Sequence, residues 1–128
     1  MISFMLTNIK TKSPKISMYK NNTYIGNSVY SIINSREASI NNLFIKEEYR
    51  NKYYGSKLLE QTELILKQQH RIQITNLTVH EPELSNLINF FKKNGYIEQL
   101  VRRYQYYDDN HYIYTLKPMY KHLIQINQ

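Results

Sequence analysis

The apolar residues of this chain change their spacing near residue 55, and that change limits the folds open to it. Before it, short runs rich in isoleucine, tyrosine and valine are broken by turn residues. After it, from Ser56 to about Gln69, Leu58, Leu59, Thr62, Ile65 and Leu66 line one face of a helix, while Lys57, Glu60, Glu63 and Lys67 line the other. A helix with one apolar stripe must bury it on something, and the strands before it supply the sheet. The spacing therefore predicts a helix packed on a sheet, with Glu63 four residues ahead of Lys67 as a favourable exposed pair.

The rest of the chain fits around that helix. Ile2 to Ile9 reads as a short strand, and only KTKSP separates it from the alternation of Ile16 and Met18 in a second. Asn21 and Asn22 mark a turn, followed by the β-rich run TYIGNSVYSII to Ile33 and by SINNLFIK, with Ile40, Leu43 and Ile45 apolar. Beyond the helix, ITNLTV is a strand. Pro82 suits the first turn of a second helix with the stripe Leu84, Leu87, Ile88, Phe91, which Asn94 and Gly95 end. Tyr96 to Tyr107 reads as one long strand, Asp108, Asp109 and Asn110 as a turn, and HYIYTL as the strand that pairs back; the tail after Pro118 carries no assignment. The order is β-β-β-β-α-β-α-β-β, with no repeat and no linker, so residues 1–128 are expected to form one α/β (α+β) domain.

Composition narrows the function. No apolar run approaches the roughly 20 residues of a membrane helix, and the absence of cysteine removes disulfides, thiolate metal sites and cysteine nucleophiles together. A soluble, cytoplasmic protein is expected, with little weight on the sequons at Asn21 and Asn76. The four histidines show no metal-ligand spacing and there is no G-x-x-x-x-G-K, so neither a metal nor a nucleoside triphosphate is expected. The net charge of +7 and the pI near 9.5 attract polyanions, whether nucleic acid, phosphorylated cofactors or acidic surfaces. The abundance of Tyr, Asn, Ile and Lys is also what AT-rich codons would produce, so the charge alone does not choose among them.

The stretch EEYRNKYYGSKLLEQ, Glu47 to Gln61, sits where the spacing changes. A loop that leads from a strand into a helix faces the helix's unpaired first N–H groups, and that terminus suits an anion. A solvated basic turn is the plainer reading of the loop alone; the strand before it and the amphipathic helix after it favour the anion.

With FFKKNGY later in the chain, INNLFIKEEYRNKYYGSKLL resembles the GCN5-related N-acetyltransferase (GNAT) superfamily from about Tyr24 to the final hairpin. In that family a strand of type L-x-V leads into R-x-x-G-x-G and a helix, which matches Leu43, Phe44, Ile45, Arg50, Tyr53 and Gly55. Tyr53 stands in place of the first glycine. A helix ending Phe-Tyr-x-x-x-Gly-Phe matches Phe90, Phe91, Gly95 and Tyr96, with Phe91 in place of the tyrosine, and Tyr24-Ile25-Gly26 falls where an Ile-Val-Gly strand is common. The resemblance implies a GNAT-like domain with a central, mixed, mostly antiparallel sheet of about six to seven strands and two main helices.

The resemblance also implies the chemistry. Acetyl-CoA would be the acyl donor, its pyrophosphate held by the loop Arg50, Asn51, Lys52, Tyr53, Tyr54, Gly55 and Ser56, with positive charge from Arg50, Lys52 and Lys57. Its pantetheine would enter between the strand at Leu43, Phe44 and Ile45 and the strand at Leu77 to Val79, pairing with backbone at Phe44 and Ile45. A strand N–H would polarise the thioester carbonyl. The acceptor would be an amine, on a small molecule, peptide or protein. For the proton steps, Phe91 has no hydroxyl to give, and His80 and Glu81, at the end of the strand beside the acetyl site, are the nearest replacements, with Tyr96 and the hairpin tyrosines behind them.

Each of these residues has a structural alternative. Phe91 lies on an apolar stripe, and His80 and Glu81 suit the start of a helix. Residue 53 is expected either to take ordinary helical geometry or to distort the loop, since a non-glycine residue with positive φ is uncommon. The family's helices between its first two strands have no room in KTKSP, which opens the acceptor side to a polypeptide amine or to a second subunit of a homodimer. Two readings of other classes stand beside acetyl transfer: a degenerate fold that only binds, and nucleic-acid binding through basic residues and YQYYDDNHYIY.

Overall fold

The computed structural model describes residues 1–80, 84–99, 104–107 and 113–123. Among the described residues, eight strands and two α-helices follow in chain order: β1 (Ile2–Thr7), β2 (Lys15–Lys20), β3 (Thr23–Ile32), β4 (Glu37–Ile45), α1 (Tyr54–His70), β5 (Ile74–His80), α2 (Leu84–Lys93), β6 (Ile97–Glu98), β7 (Tyr104–Tyr107) and β8 (Ile113–His122). They fall into two compact units, residues 1–75 with the end of the chain from Leu123, and residues 76–122.

In the first unit β1 to β4 form an antiparallel meander in chain order. Asn21 and Asn22 both hold positive φ, 50° and 69°, as a tight hairpin turn requires, so the expected β2–β3 turn is present. The strands carry Ile16, Met18, Ile25, Tyr30, Ala38, Ile40 and Ile45 into a core closed by α1. The buried residues of α1 are Leu58, Leu59, Thr62, Ile65 and Leu66, the face its spacing predicts, and the Thr62 hydroxyl is satisfied by donating to the Leu58 carbonyl at 2.8 Å. β4 departs from a regular strand. Val29 faces Asn42 but Tyr30 faces Ile40, so Asn41 is an extra residue in a bulge.

In the second unit β8 lies between β5 and β6, and β7 pairs antiparallel with β8, Tyr106 facing Tyr114. Leu77, Val79, Ile88, Phe91, Tyr96 and Met119 are buried. The end of α2 is capped as predicted. Gly95 takes φ 92°, and Tyr96 and Gly95 N–H donate to the Phe91 and Lys92 carbonyls at 2.9 and 3.1 Å.

Three expectations change. The segment from Tyr96 to Tyr107 is two short strands rather than one long one, which brings the strands to eight. The first part of the unassigned tail is strand: β8 runs on through Pro118 to His122, and Pro118 still accepts from the Gln99 N–H through its carbonyl at 3.2 Å, while residues 124–128 lie outside the described residues. The first helix starts at Tyr54, two residues before Ser56. The expected roles of Pro82 and of the turn at Asp108–Asn110 fall outside the described residues.

Candidate active site

The loop from Lys46 to Tyr53 joins β4 to α1 inside the first unit, and it starts from a firmly held strand end. Lys46 N–H donates to the Ile25 carbonyl at 2.8 Å, and Gly26 faces Ile45 across the ladder. A Cβ at Gly26 would overlap the Phe44 carbonyl oxygen and come within 2.8 Å of Ile45 Cδ1, so only glycine lets the two strands meet here. Ile45 is buried, while Phe44 projects from the other face.

A single 3-10 turn at Glu47–Tyr49 then reverses the chain. Arg50 braces it: its Nε donates to the Ile45 carbonyl at 2.8 Å, and its guanidinium lies 5.8 Å from the centre of the Phe44 ring. Lys52 Nζ donates to the Glu48 carbonyl at 3.3 Å. These two cations, expected to serve a phosphate, also spend hydrogen bonds on shaping the loop. Asn51 and Tyr53 hold φ of 62° and 67°. Asparagine tolerates that region readily; tyrosine does not. Tyr53 thus adopts the left-handed geometry that favours glycine, its side chain turned out to solvent, 82% exposed. Gly55, by contrast, sits in the first turn of α1 with no need of positive φ.

The start of α1 is bare. Its first helical bond is Lys57 N–H to the Tyr53 carbonyl, 3.1 Å, which leaves the N–H groups of Tyr54, Gly55 and Ser56 at the open end. Tyr53 makes no side-chain cap and the first turn holds no acidic residue. The usual neutralising partners of a helix N-terminus are absent among the described residues, and the positive end of the dipole faces the loop. Lys20 comes to the same place from β2, its Nζ 5.4 Å from the centre of the Tyr54 ring, and Tyr49 packs edge-on to Tyr54 at 6.2 Å. The polar pull of Tyr54 and then of Tyr49 holds the Lys20 ammonium above the ordinary lysine value. Nothing near Tyr54 in the sequence points to Lys20, because the strand register brings it there.

The expected site residues thus divide. Leu43, Phe44, Ile45, Arg50, Asn51, Lys52, Tyr53, Tyr54, Gly55 and Ser56 share one strand end, one loop and the first turn of α1. His80 ends β5, but its side chain and Glu81 lie outside the described residues. Phe91 is buried in the second unit, edge-on to Phe90 at 5.1 Å and Tyr96 at 5.6 Å, which is the packing role its stripe predicts. Tyr96 is buried with it.

A strand, a tight basic turn and a bare helix start together offer backbone amides and positive charge of the kind that suits a phosphate. The chain belongs to the GNAT family of acetyltransferases, since the family model described as "Acetyltransferase (GNAT) domain" matches residues 15–98. Among solved structures, a GNAT family acetyltransferase from Elizabethkingia anophelis with acetyl-CoA bound superposes with a TM-score of 0.79 at 13% identity, over 95% of this chain and 98% of that one. The PaiA N-acetyltransferase of Thermoplasma acidophilum, in complex with coenzyme A, gives 0.69 at 25% identity over 89% of this chain, which spans only 63% of that protein. Ard1 from Thermoplasma volcanium gives 0.73 at 17% identity, over 91% and 74%. No curated protein matches the sequence. The fold is thus the α+β fold of GNAT acetyltransferases, and no helix among the described residues is long and apolar enough to cross a membrane.

Proposed function

We propose that this protein binds acetyl-CoA at the β4–α1 loop and transfers the acetyl group to an amine. The observation that carries the proposal is the bare start of α1, with three amides, no cap and no acidic residue. A pyrophosphate fits that donor set. Tyr54, Gly55 and Ser56 would hold it through N–H groups, and Lys20 and Lys57 would add positive charge from two elements. Amides impose no side-chain requirement, so Tyr53 in place of glycine leaves the donors intact.

Coenzyme A, when bound, supplies the acetyl group as an activated thioester. The chain's own task is to orient it along Leu43, Phe44 and Ile45 and to take a proton from the acceptor amine. His80 and Glu81 are assigned the proton steps, one taken from the amine nitrogen as its bond to the acetyl carbon forms and one returned to the coenzyme A thiolate as the thioester bond breaks, since Phe91 carries no hydroxyl to give the thiolate its proton. The short β1–β2 connection, residues 8–14, supports an open acceptor side and hence an amine on a polypeptide. A second reading, coenzyme A binding without turnover, is favoured by buried Phe91 alone.

Calorimetric titration with acetyl-CoA, free coenzyme A and a short oligonucleotide, at two salt concentrations, tests the cofactor. Saturable binding of both coenzymes, weakened by more than about tenfold in Gly55→Glu through a like charge at the dipole's site, is the expected result. Equal binding of any polyanion would sink it. Acetyl transfer to a peptide panel, lost in a His80→Ala/Glu81→Ala variant that still binds coenzyme A, separates turnover from mere binding.

A further inference from the structure

β1 is an edge strand that pairs only with β2 among the described residues. The direction of its backbone groups follows from one bond. Asn21 N–H donates to the Met1 carbonyl at 2.9 Å, which makes Met1 a hydrogen-bonded position of the β1–β2 ladder. In an antiparallel ladder such positions alternate, so Ser3, Met5 and Thr7 also face β2, and the N–H and C=O groups of Ile2, Phe4 and Leu6 point away from it.

Natural sheets guard such an edge with lysine, proline, a bulge or a very short strand. β1 has none of these: ISFMLT carries no charge and no proline, and its register with β2 is unbroken over six residues. Beside it runs a groove of about 200 Å³, lined by Ile2 and Phe4 and by Lys57, Glu60, Gln61 and Leu64 of α1. Leu64 and Met5 are exposed, at 38% and 54%.

We propose that this edge is a homodimer interface, in which β1 of a second copy adds antiparallel about a two-fold axis through Phe4. The register is dictated by the backbone. Centring on Phe4 sets Phe4 against Phe4 and Ile2 against Leu6 of the second copy, so that every outward residue of β1 meets an outward residue, and each such pair exchanges two N–H···O=C bonds. It also keeps like faces together, because paired residues have the same parity. Ile2, Phe4 and Leu6 then form one apolar cross-strand ladder beside the groove, with Ser3 against Met5 on the other face. Charge agrees with a symmetric partner. Lys57 and Glu60 put one cation and one anion on the rim of the same groove, so the rim is locally neutral and sets no single-sign repulsion against a second copy despite the net charge of +7.

Sedimentation velocity of the full chain from about 5 to 300 µM tests the proposal, since a small strand-edge interface should dissociate in the range of tens of micromolar. The sedimentation coefficient is expected to rise from a monomer value to a dimer value. In Ser3→Lys/Met5→Lys, whose changes fall on exposed side chains, like charges face each other twice, and the protein should stay monomeric throughout while its melting temperature at low concentration is unchanged. Ser3→Glu/Met5→Lys sets opposite charges in the same register and should restore the dimer. Hydrogen exchange adds a residue-level readout: the amides of Ile2, Phe4 and Leu6 should slow as concentration rises. A wild-type protein that is monomeric over the whole range, or a dimer that survives the double lysine change, overturns the proposal.

Discussion

Tyr53 holds a backbone geometry that costs an ordinary side chain about 1 kcal/mol, and its side chain recovers none of that by packing, being 82% exposed. Tyr53→Gly removes the strain but loosens the unfolded chain by about 0.5–1 kcal/mol. Stability measured by urea unfolding should therefore shift by less than about 1 kcal/mol in either direction. Tyr53→Val, β-branched at positive φ, should lose about 2 kcal/mol and weaken coenzyme binding with it. The sequence marks position 53 as the anomaly of the motif, yet offers both an ordinary helical residue and a distorted loop. Its dihedral is settled by neighbours, since Arg50 and Lys52 pin the turn to strand and loop carbonyls. A second residue was silent altogether. Ser28 is fully buried on β3 and its hydroxyl has no hydrogen-bond partner among the described residues, so Ser28→Ala should raise stability by about 1 kcal/mol in the same assay.

At the scale of elements, legibility follows from how local the cause is. The buried face of α1 and the glycine cap of α2 were readable because period and cap lie within a few residues of each other. The bulge at Asn41 was readable but unread. The apolar positions Ala38, Ile40, Leu43 and Ile45 step by two, then three, then two, and the slip of one marks the extra residue. β8 was cut short because proline lowers the expectation of a strand, although a proline carbonyl can still join a ladder, as that of Pro118 does with Gln99. The fit between β3 and β4 at Gly26 is the element-level feature on which the loop depends. Gly26→Ala forces backbone apart rather than a side chain, so it should cost about 1–3 kcal/mol in thermal unfolding and reduce coenzyme binding more than an equally destabilising change elsewhere in the core.

At the scale of the molecule, charge sets the response to solution conditions. With +7 overall and Lys20, Lys46, Arg50, Lys52 and Lys57 at or near the loop, coenzyme affinity should fall several-fold between about 50 and 300 mM salt as the screening length shortens, which titration across that range measures. Acid acts through the second unit. Glu98 lies 3.5 Å from Lys117, which is mostly buried, and 3.4 Å from Lys92. Partial burial alone would push the Glu98 carboxyl up, but the attraction of Lys117 and then Lys92 leaves it below the ordinary value. A carboxyl lowered by folding contributes stability that is complete above the unfolded value and is lost as pH falls through the folded one. Melting temperatures should therefore drop between about pH 5 and 3, and Glu98→Gln should lower the plateau near pH 7 and flatten part of that slope. Neither effect was visible in sequence, because Lys92, Glu98 and Lys117 meet only through α2 and the pairing of β6 with β8.

The bare first turn of α1 has a consequence for resistance to proteolysis. A helix with nothing of its own to close its first turn frays there, and an anion that fills the place stops the fraying. On the proposed function, protease attack at the loop should then fall as acetyl-CoA is added, which limited proteolysis across a titration of acetyl-CoA measures.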